Sequence, residues 1–411
     1  MKKNLIIIYL IAIFIFSQIA FVFSQQLEST SWNQFRGSNR NGISSETGLL
    51  EKWPESGPEL VWKKEIGEAF SEIIISENIV YTMLSERIDS TTGSEFVVSY
   101  DALTGKELWK TEVDSIFIDI DGWGNGPRST PTIDENYIYS LSAYGKLTAI
   151  SKKDGKIIWK KDFVTEFGAT VPRWGFSTSP MLMSDILVVE VGGTESRAFM
   201  AFDKKTGNVS WSKENLNATY SSPIKITIDG TEQILFANRG VLYSFNSKGD
   251  TLWTYKTPLG SSTALPLFIE PNKIFFSALG EVGYTIIQVQ NNKPSELFQG
   301  SNMKNDFGSS CYLDGYIYGF NVAALQCISA ETGETKWTKR GFGKGTLIIV
   351  DKKLLILSDQ GKLILAEANP EAYTEKGAFQ AITGKSWTAP SYSNGKVYVR
   401  NLTEIACYKV K

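Results

Sequence analysis

The sequence predicts an all-β protein: an eight-bladed β-propeller of four-stranded antiparallel blades, with the ring closed by pairing N-terminal and C-terminal strands. Three observations predict this fold. A turn followed by a tryptophan recurs along the chain, a Ser/Thr-Pro marker precedes most of the copies, and aromatic residues make up 12% of the chain. Aromatic side chains suit pleated, half-buried surfaces. A repeat of about 40–50 residues with β-type sequence is typical of propellers.

The repeated phrase is clearest in YDALTGKELW, residues 100–109. We expect its glycine to take a positive φ in a turn between two antiparallel strands, where the Asp or Thr side chain bonds back to the backbone. The tryptophan should begin the outer strand and pack between neighbouring blades. The copies lie 39 to 52 residues apart, and their aromatic residues are Trp62, Trp109, Trp159, Trp211, Trp253, Phe298 and Trp337.

The second marker is a short Ser/Thr-Pro segment followed by an alternating strand. Proline suits the start of a strand, where its missing N–H is not needed. With weaker copies included, eight such starts predict seven contiguous blades, at about 68–113, 126–163, 175–214, 220–257, 262–300, 305–342 and 345–380. The last blade has three strands at the C-terminus. Its fourth strand would be the N-terminal PELVWKKEI, which would close the ring and leave no open sheet edge there.

The N-terminus predicts an exported protein. A basic MKK is followed by an apolar run, and Val22 and Ser24 occupy the small-residue positions of a cleavage site. This pattern is typical of a secretory signal peptide, here residues 1–24, cut near Ser24–Gln25. We therefore expect a periplasmic or secreted protein.

The same apolar run leaves a second destination open. From Leu5 to Phe23 it is long enough to stay in a bilayer as an uncleaved anchor. Membrane contact is expected only through such a signal. We interpret residues 25–57 as a lead-in segment that wraps the outside of the ring, and residues 58–411 as the propeller.

Composition excludes several classes of function. The 42 Lys and Arg residues balance 44 Asp and Glu residues, so no nucleic-acid partner is expected. Histidine is absent, which excludes Ser-His-Asp and Cys-His catalysis and any His-ligated metal site. The three cysteines, Cys311, Cys327 and Cys407, are odd in number and none are adjacent. We interpret them as small apolar core residues.

A binding site is expected at one mouth of the central channel, where the loops leading into the inner strands converge. These positions are rich in aromatic and cationic side chains, which suit an anionic or extended ligand. The candidate residues are Phe70, Arg128, Arg173, Trp174, Phe176, Tyr220, Asp306, Phe307, Lys344, Lys385 and Trp387. A structural role is the alternative. Trp174 and Phe176 would then plug the channel, and Arg128 would pair with Asp119 or Asp121.

One long loop between blades, residues 114–128, carries a set of oxygen ligands. These are Asp114, Asp119, Asp121 and Asn125. Spaced carboxylates and amides suit Ca²⁺, so the loop is a candidate metal site. Their spacing does not follow the EF-hand pattern, which favours a solvated acidic loop without a metal.

The phrase A/S-x-T-G-K-x-x-W resembles the tryptophan-docking repeat of the pyrroloquinoline-quinone-type propellers. This superfamily includes quinoprotein alcohol dehydrogenases and the non-catalytic propeller subunit of the bacterial outer-membrane β-barrel assembly machinery. The resemblance covers nearly all of the chain after the predicted signal. Four further stretches resemble a secreted bacterial branch of unassigned function: 32–50, 123–133, 314–320 and 367–373.

The resemblance implies two alternative functions. One is a non-catalytic binding or scaffold propeller outside the cytoplasm, without a cofactor, that docks segments of a protein or polymer. The other is a quinone- or calcium-dependent oxidoreductase acting on alcohols or sugars, with Asp119, Asp121 or Asp306 as the base. The dehydrogenases clamp their quinone between a tryptophan and a disulfide of two adjacent cysteines. This chain has no adjacent cysteines and no stretch that matches their calcium ligands, which favours the first function.

Overall fold

The computed structural model describes residues 31–411, so the predicted signal peptide lies outside the described residues. Residues 31–411 form a ring of eight antiparallel blades and one short helix. The predicted fold class is therefore confirmed. Within residues 31–411 no helix is long and apolar enough to cross a membrane.

Two strands precede the first complete blade, β1 (Ile43–Ser44) and β2 (Glu59–Glu65). In blades 1 to 4 the strands pair in chain order. Blade 1 contains β3 (Ile74–Ser76), β4 (Ile79–Arg87), β5 (Gly93–Asp101) and β6 (Glu107–Ser115). Blade 2 contains β7 (Thr132–Ile133), β8 (Tyr137–Leu141), β9 (Lys146–Ser151) and β10 (Ile157–Asp162), which is followed by the helix α1 (Phe163–Phe167). Blade 3 contains β11 (Met181–Met183), β12 (Ile186–Gly193), β13 (Arg197–Asp203) and β14 (Val209–Lys213). Blade 4 contains β15 (Ile224–Ile228), β16 (Thr231–Asn238), β17 (Val241–Phe245) and β18 (Thr251–Lys256).

The second half of the ring repeats this arrangement. Blade 5 contains β19 (Leu267–Ile269), β20 (Lys273–Ser277), β21 (Tyr284–Gln290) and β22 (Lys293–Gly300). Blade 6 contains β23 (Cys311–Leu313), β24 (Tyr316–Asn321), β25 (Ala324–Ser329) and β26 (Thr335–Lys339). Blade 7 contains β27 (Thr346–Val350), β28 (Lys353–Leu357), β29 (Lys362–Glu367) and β30 (Glu375–Gln380). Blade 8 contains β31 (Ser391–Ser393), β32 (Lys396–Arg400) and β33 (Glu404–Lys409).

Blade 8 is completed by the N-terminal strand, as the sequence predicts. The strand β2 pairs antiparallel with β33, from Glu59 opposite Lys409 to Glu65 opposite Glu404. The sheet order is β2-β33-β32-β31. The two ends of the propeller therefore share one sheet, which closes the ring.

The repeated phrase forms the predicted turn, and the turn is where the preceding blade's tryptophan docks. The Asp101 carboxylate accepts hydrogen bonds from the Thr104 amide and hydroxyl at 2.8 and 2.7 Å. The Trp62 indole donates to the Ala102 carbonyl at 3.0 Å. Gly105 has a φ of 68°, and a Cβ on it would lie 2.8 Å from the Trp62 ring. Glycine is thus required both by the turn and by the indole packed against it.

We expect Gly105→Ala to lower the free energy of unfolding by about 2–4 kcal/mol, because it adds steric overlap with Trp62 to the strain of a positive φ. Equilibrium unfolding in urea measures the loss. The matched control is Gly230→Ala, since Gly230 has a φ of 73° but no atom within 4 Å of the position of an added Cβ. It should cost only about 1 kcal/mol. Equal losses in the two variants would show that the docked indole contributes nothing.

Residues 32–44 of the lead-in segment lie in the central channel, so the interpretation that the segment wraps the outside of the ring is wrong for these residues. The strand β1 pairs in parallel with β27, the inner strand of blade 7. Trp32 exchanges two backbone hydrogen bonds with Ile75 of blade 1, and the Asn33 carbonyl accepts one from Ile133 of blade 2. We call residues 32–44 the channel segment.

Two buried arginines hold the channel segment in place. The Arg36 guanidinium donates to the Leu347 and Ser310 carbonyls at 3.1 and 3.4 Å. The Arg40 guanidinium donates to the Ser179 and Pro223 carbonyls at 3.1 and 3.0 Å. These carbonyls belong to blades 7, 6, 3 and 4 or to the loops leading into them. The segment faces the channel because its arginines need the carbonyl groups exposed there.

After the channel segment the chain crosses to the outer side of blades 7 and 8. The Leu50 amide donates to the Val410 carbonyl, and the Trp53 amide donates to the Lys376 carbonyl. Trp53 is buried beside Phe379, with ring centroids 5.6 Å apart. This path carries the chain from the channel to β2.

Candidate functional site

A cavity of about 450 Å³ lies at the end of the channel where the loops lead into the inner strands. We call it the mouth cavity. It is lined by these predicted residues: Phe70, Arg128, Trp174, Tyr220, Asp306, Phe307, Lys344 and Trp387. Phe35 of the channel segment also lines it. Its volume lies within the roughly 300–1,000 Å³ of typical ligand pockets.

One side of the mouth cavity is an aromatic cluster centred on Trp387. Phe307 stacks on Trp387 with ring centroids 4.5 Å apart, and Phe70 lies nearly parallel to it at 6.0 Å. Trp123 is tilted against Trp387 at 5.7 Å. The Lys385 ammonium lies 4.7 Å from the Trp387 ring centroid and donates to the Trp123 carbonyl at 2.7 Å. These contacts join blades 6 and 8 to the long loop after blade 1.

A second aromatic pair, Trp174 and Tyr220, belongs to the loops before blades 3 and 4. Their ring centroids are 5.3 Å apart. Asp121 accepts hydrogen bonds from the Trp174 indole at 2.7 Å and from two Arg173 nitrogens at 2.8 and 2.7 Å. The hydrogen bonds from Arg173, followed by that from Trp174, lower the pKa of Asp121 to about 2. The long loop is therefore tied to blade 3 by a carboxylate that is ionised at ordinary pH.

The acidic groups of the long loop bind protein groups and do not converge on a metal site. Asp119 accepts hydrogen bonds from the Trp123 amide at 2.6 Å and the Gly124 amide at 3.3 Å. The Asn125 side chain accepts from the Asp119 amide and donates to Glu68 at 2.7 Å. In residues 31–411 no group of three or more His, Cys, Asp or Glu side chains is placed to hold a metal ion. The calcium candidate stays a prediction, and Asp119 is buried rather than solvated.

Arg128 stabilises the long loop, residues 114–128, through contacts with other residues of that loop. Its guanidinium donates to the Gly124 carbonyl at 2.8 Å and lies 3.8 Å from the Asp119 carboxylate. It also lies 4.6 Å from the Phe117 ring centroid. Burial lowers the pKa of Arg128, and Asp119 partly opposes this. The predicted pairing of Arg128 with Asp119 is confirmed.

Three of the predicted residues do not line the mouth cavity. Phe176 is buried against Phe163, with centroids 5.5 Å apart, so its prediction as a mouth or channel residue is wrong. Gly175, with a φ of 74°, turns the chain inward just before Phe176. Arg173 and Lys385 lie around the cavity and act through Asp121 and Trp123.

Among the lining residues that sequence reasoning missed, three have large apolar side chains: Trp123, Leu279 and Phe35. Trp123 lies in the long loop that was interpreted as a candidate metal site, and it does not directly precede a Ser/Thr-Pro marker. Leu279 follows β20 and lies outside the positions before the inner strands. Phe35 belongs to the channel segment, whose sequence carries no copy of the repeat.

Comparison with known proteins identifies the family. The family model described as "Outer membrane protein assembly factor BamB" matches residues 93–339. The chain belongs to this family. A curated relative, outer membrane protein assembly factor BamB of Moranella endobia (strain PCIT), is 23% identical over 257 residues. The match covers 57% of this chain and 63% of the relative, which is less than two thirds of the relative's length.

Two kinds of solved structure share the fold of this member of the BamB family. BamB from Moraxella catarrhalis aligns with a TM-score of 0.62 and 13% identity, covering 86% of this chain and 97% of that one. Quinohemoprotein alcohol dehydrogenase from Comamonas testosteroni aligns with a TM-score of 0.67 and 11% identity, covering 95% and 82%. At these identities the likeness shows the fold alone. The predicted resemblance to both groups is confirmed.

The residues of this chain do not fit the quinone clamp of the dehydrogenases. Cys311, Cys327 and Cys407 are free and buried in three different strands. The three candidate bases are also engaged by neighbouring groups. Asp119 binds backbone amides, Asp121 binds Arg173, and the Asp306 carboxylate lies 2.6 Å from the Lys344 ammonium. The adjacent-cysteine part of the clamp therefore has no counterpart among the described residues.

Proposed function

We propose that this BamB-family propeller is an extracytoplasmic, non-catalytic scaffold that docks an extended segment of a partner protein in its mouth cavity. The observation that carries the proposal is the concentration of exposed apolar side chains there. Trp123, Trp174, Phe307 and Leu279 are 44, 38, 38 and 48% exposed. Clustered exposed apolar side chains mark interaction sites in soluble proteins.

The size and composition of the cavity favour an extended segment over a folded domain. A cavity of about 450 Å³ holds one or two large side chains. Aromatic anchors in a central pocket supply most of the binding energy of many interfaces. The predicted export signal supports a partner outside the cytoplasm. The name of the family, an assembly factor, supports a protein as the partner.

Photocrosslinking in the source cells tests the docking site. Leu279 is replaced by p-benzoylphenylalanine, and crosslinked partner peptides are mapped by mass spectrometry. We expect one or a few discrete segments, and we expect the additional changes Trp174→Ala and Phe307→Ala to reduce the yield by about tenfold, since central aromatic residues dominate such interfaces.

The matched control places the same photoreactive residue at Leu103. This leucine is 58% exposed in the turn between β5 and β6, at the end of blade 1 opposite the mouth cavity. It should not capture those segments. The same peptides at both positions, or a yield unchanged by the two alanine substitutions, would contradict docking at the mouth cavity.

A further inference from the structure

Lys385 is a cation at the rim of the mouth cavity that forms no ion pair with a carboxylate of residues 31–411. Its ammonium donates to the Trp123 carbonyl at 2.7 Å. It also lies 5.6 and 4.7 Å from the ring centroids of Trp123 and Trp387. An ammonium has three donors, so Lys385 can still bind an incoming acceptor.

The other cations around the mouth cavity already have acidic partners. The Lys344 ammonium lies 2.6 Å from the Asp306 carboxylate. The Arg173 guanidinium lies 2.7 Å from the Asp121 carboxylate. The Arg128 guanidinium lies 3.8 Å from the Asp119 carboxylate. Arg36 also lines the cavity, and its backbone amide donates to the Glu72 carboxylate at 2.8 Å. The uncompensated charge is thus concentrated at one point of the rim, beside exposed aromatic rings.

We infer that the mouth cavity takes one large aromatic side chain of the docked segment, and that Lys385 binds a carboxylate close to that aromatic residue in the same segment. This inference rests on the docking function proposed above and deepens it. The rings of Phe307 and Trp174 offer an incoming ring the edge-to-face and offset geometries that aromatic pairs prefer. The carboxylate would give Lys385 a negatively charged partner, at a position that two indoles already partly shield from water.

The placement of Lys385 makes this pairing selective. Its ammonium is fixed by the Trp123 carbonyl and by the faces of two rings, so less side-chain freedom is lost when an acceptor binds. An aliphatic or uncharged segment would fill the cavity but leave the charge of Lys385 unpaired. Specificity for acidic aromatic segments therefore follows from one residue.

Selection from a random peptide library displayed on phage tests the inference, with the purified propeller as the target. We expect selected peptides to carry Trp, Phe or Tyr next to Asp or Glu. In a synthetic peptide of the selected sequence, changing the aromatic residue to Ala should weaken binding by about tenfold or more. Changing the acid to its amide should weaken binding by roughly threefold to tenfold.

Variants of the protein separate the two proposals. Lys385→Gln should lower the affinity for the acidic peptide as much as changing the acid to its amide does. In that variant the amide change should have no further effect on affinity. Lys385→Arg should keep most of the affinity. Selected peptides that need Trp174 and Phe307 but show no preference for acids would overturn the inference and leave docking intact. If no selected peptide depends on Trp174 or Phe307, or if only oligosaccharides bind there, the docking function itself is wrong.

Discussion

Arg400→Ala is expected to lower the free energy of unfolding by about 3–5 kcal/mol. Arg400 lies on β32 and is fully buried where blade 8 meets blade 1. Its guanidinium donates to the Met83 carbonyl and the Thr82 hydroxyl at 2.7 and 2.9 Å, and to the Gly67 carbonyl at 3.2 Å. Alanine would leave these buried acceptors unpaired and open a cavity at the junction that closes the ring.

Burial lowers the pKa of Arg400 to about 10. The side chain is thus charged at neutral pH, and within residues 31–411 no carboxylate pairs with it. Carbonyl and hydroxyl dipoles of blade 1 stabilise the charge instead. This makes the residue sensitive to any opening between the first and last blades, because an opened junction would remove several of its partners at once.

Urea unfolding with two matched variants checks the Arg400 prediction. Arg400→Met keeps much of the volume and removes the donors, so it should cost less than alanine and isolate the hydrogen-bond contribution. Arg340→Ala removes an exposed arginine from the same chain and should change stability by less than about 0.5 kcal/mol. A loss below about 1 kcal/mol for Arg400→Ala would show that water replaces the guanidinium at this junction.

The blades could be predicted from the sequence because their signals are local. The Asp101 turn, the Gly105 conformation and the position of Trp62 depend on short sequence patterns repeated around the ring. The pairing of β2 with β33 could be predicted because Trp62 is the one tryptophan of the repeat that lacks a preceding turn. A repeat thus encodes both the blade and its contact with the next blade.

The channel segment could not be predicted in the same way. Its arginines bind backbone carbonyls from several blades that are far apart in sequence. Because every residue has a carbonyl group, the sequence does not show which of them face the channel. The mouth was predicted in outline, since loops before the inner strands must converge at one end of a propeller. Trp123 and Phe176 were misjudged because long-range contacts with Lys385 and Phe163 decide where their side chains lie.

Arg36→Ala is expected to release the channel segment and lower the free energy of unfolding by about 3–5 kcal/mol. Arg36 is 2% exposed. Besides its two carbonyl partners, its guanidinium donates to the Cys311 thiol at 3.0 Å. Its backbone amide donates to the buried Glu72 carboxylate at 2.8 Å. The substitution removes the cation that acts most strongly on Glu72 and leaves Arg40 as the second one.

Thiol labelling distinguishes local release from global unfolding. Cys311 lies on an inner strand beside the channel segment, whereas Cys327 and Cys407 are buried in other strands. In Arg36→Ala, a maleimide should modify Cys311 faster than the other two, while all three stay protected in the unchanged protein. Equal modification of all three cysteines would show that the ring itself opens and that the segment has no separate stability.

The decrease in the free energy of unfolding caused by Arg36→Ala should also depend on pH, because Glu72 titrates. Burial raises the pKa of Glu72 from 4.5 to about 7, and the positive charge of Arg36 opposes this rise. The folded protein therefore holds a proton that the unfolded chain releases, so the stability from Glu72 is full below pH 4.5 and is lost as the pH rises through 7. Without Arg36 the folded-state pKa of Glu72 should rise further, and each unit of that rise corresponds to about 1.4 kcal/mol.

The loss of stability in Arg36→Ala should therefore be greater at pH 8, where Glu72 is ionised, than at pH 5, where it is neutral. Urea unfolding at the two pH values measures the difference. Combining Arg36→Ala with Glu72→Gln should make the loss equal at both, because the titrating group is gone. If the loss still depends on pH after Glu72→Gln, another carboxyl group causes the dependence. If the loss is the same at both pH values with Glu72 present, Arg36 stabilises the channel segment only through its hydrogen bonds to carbonyl groups.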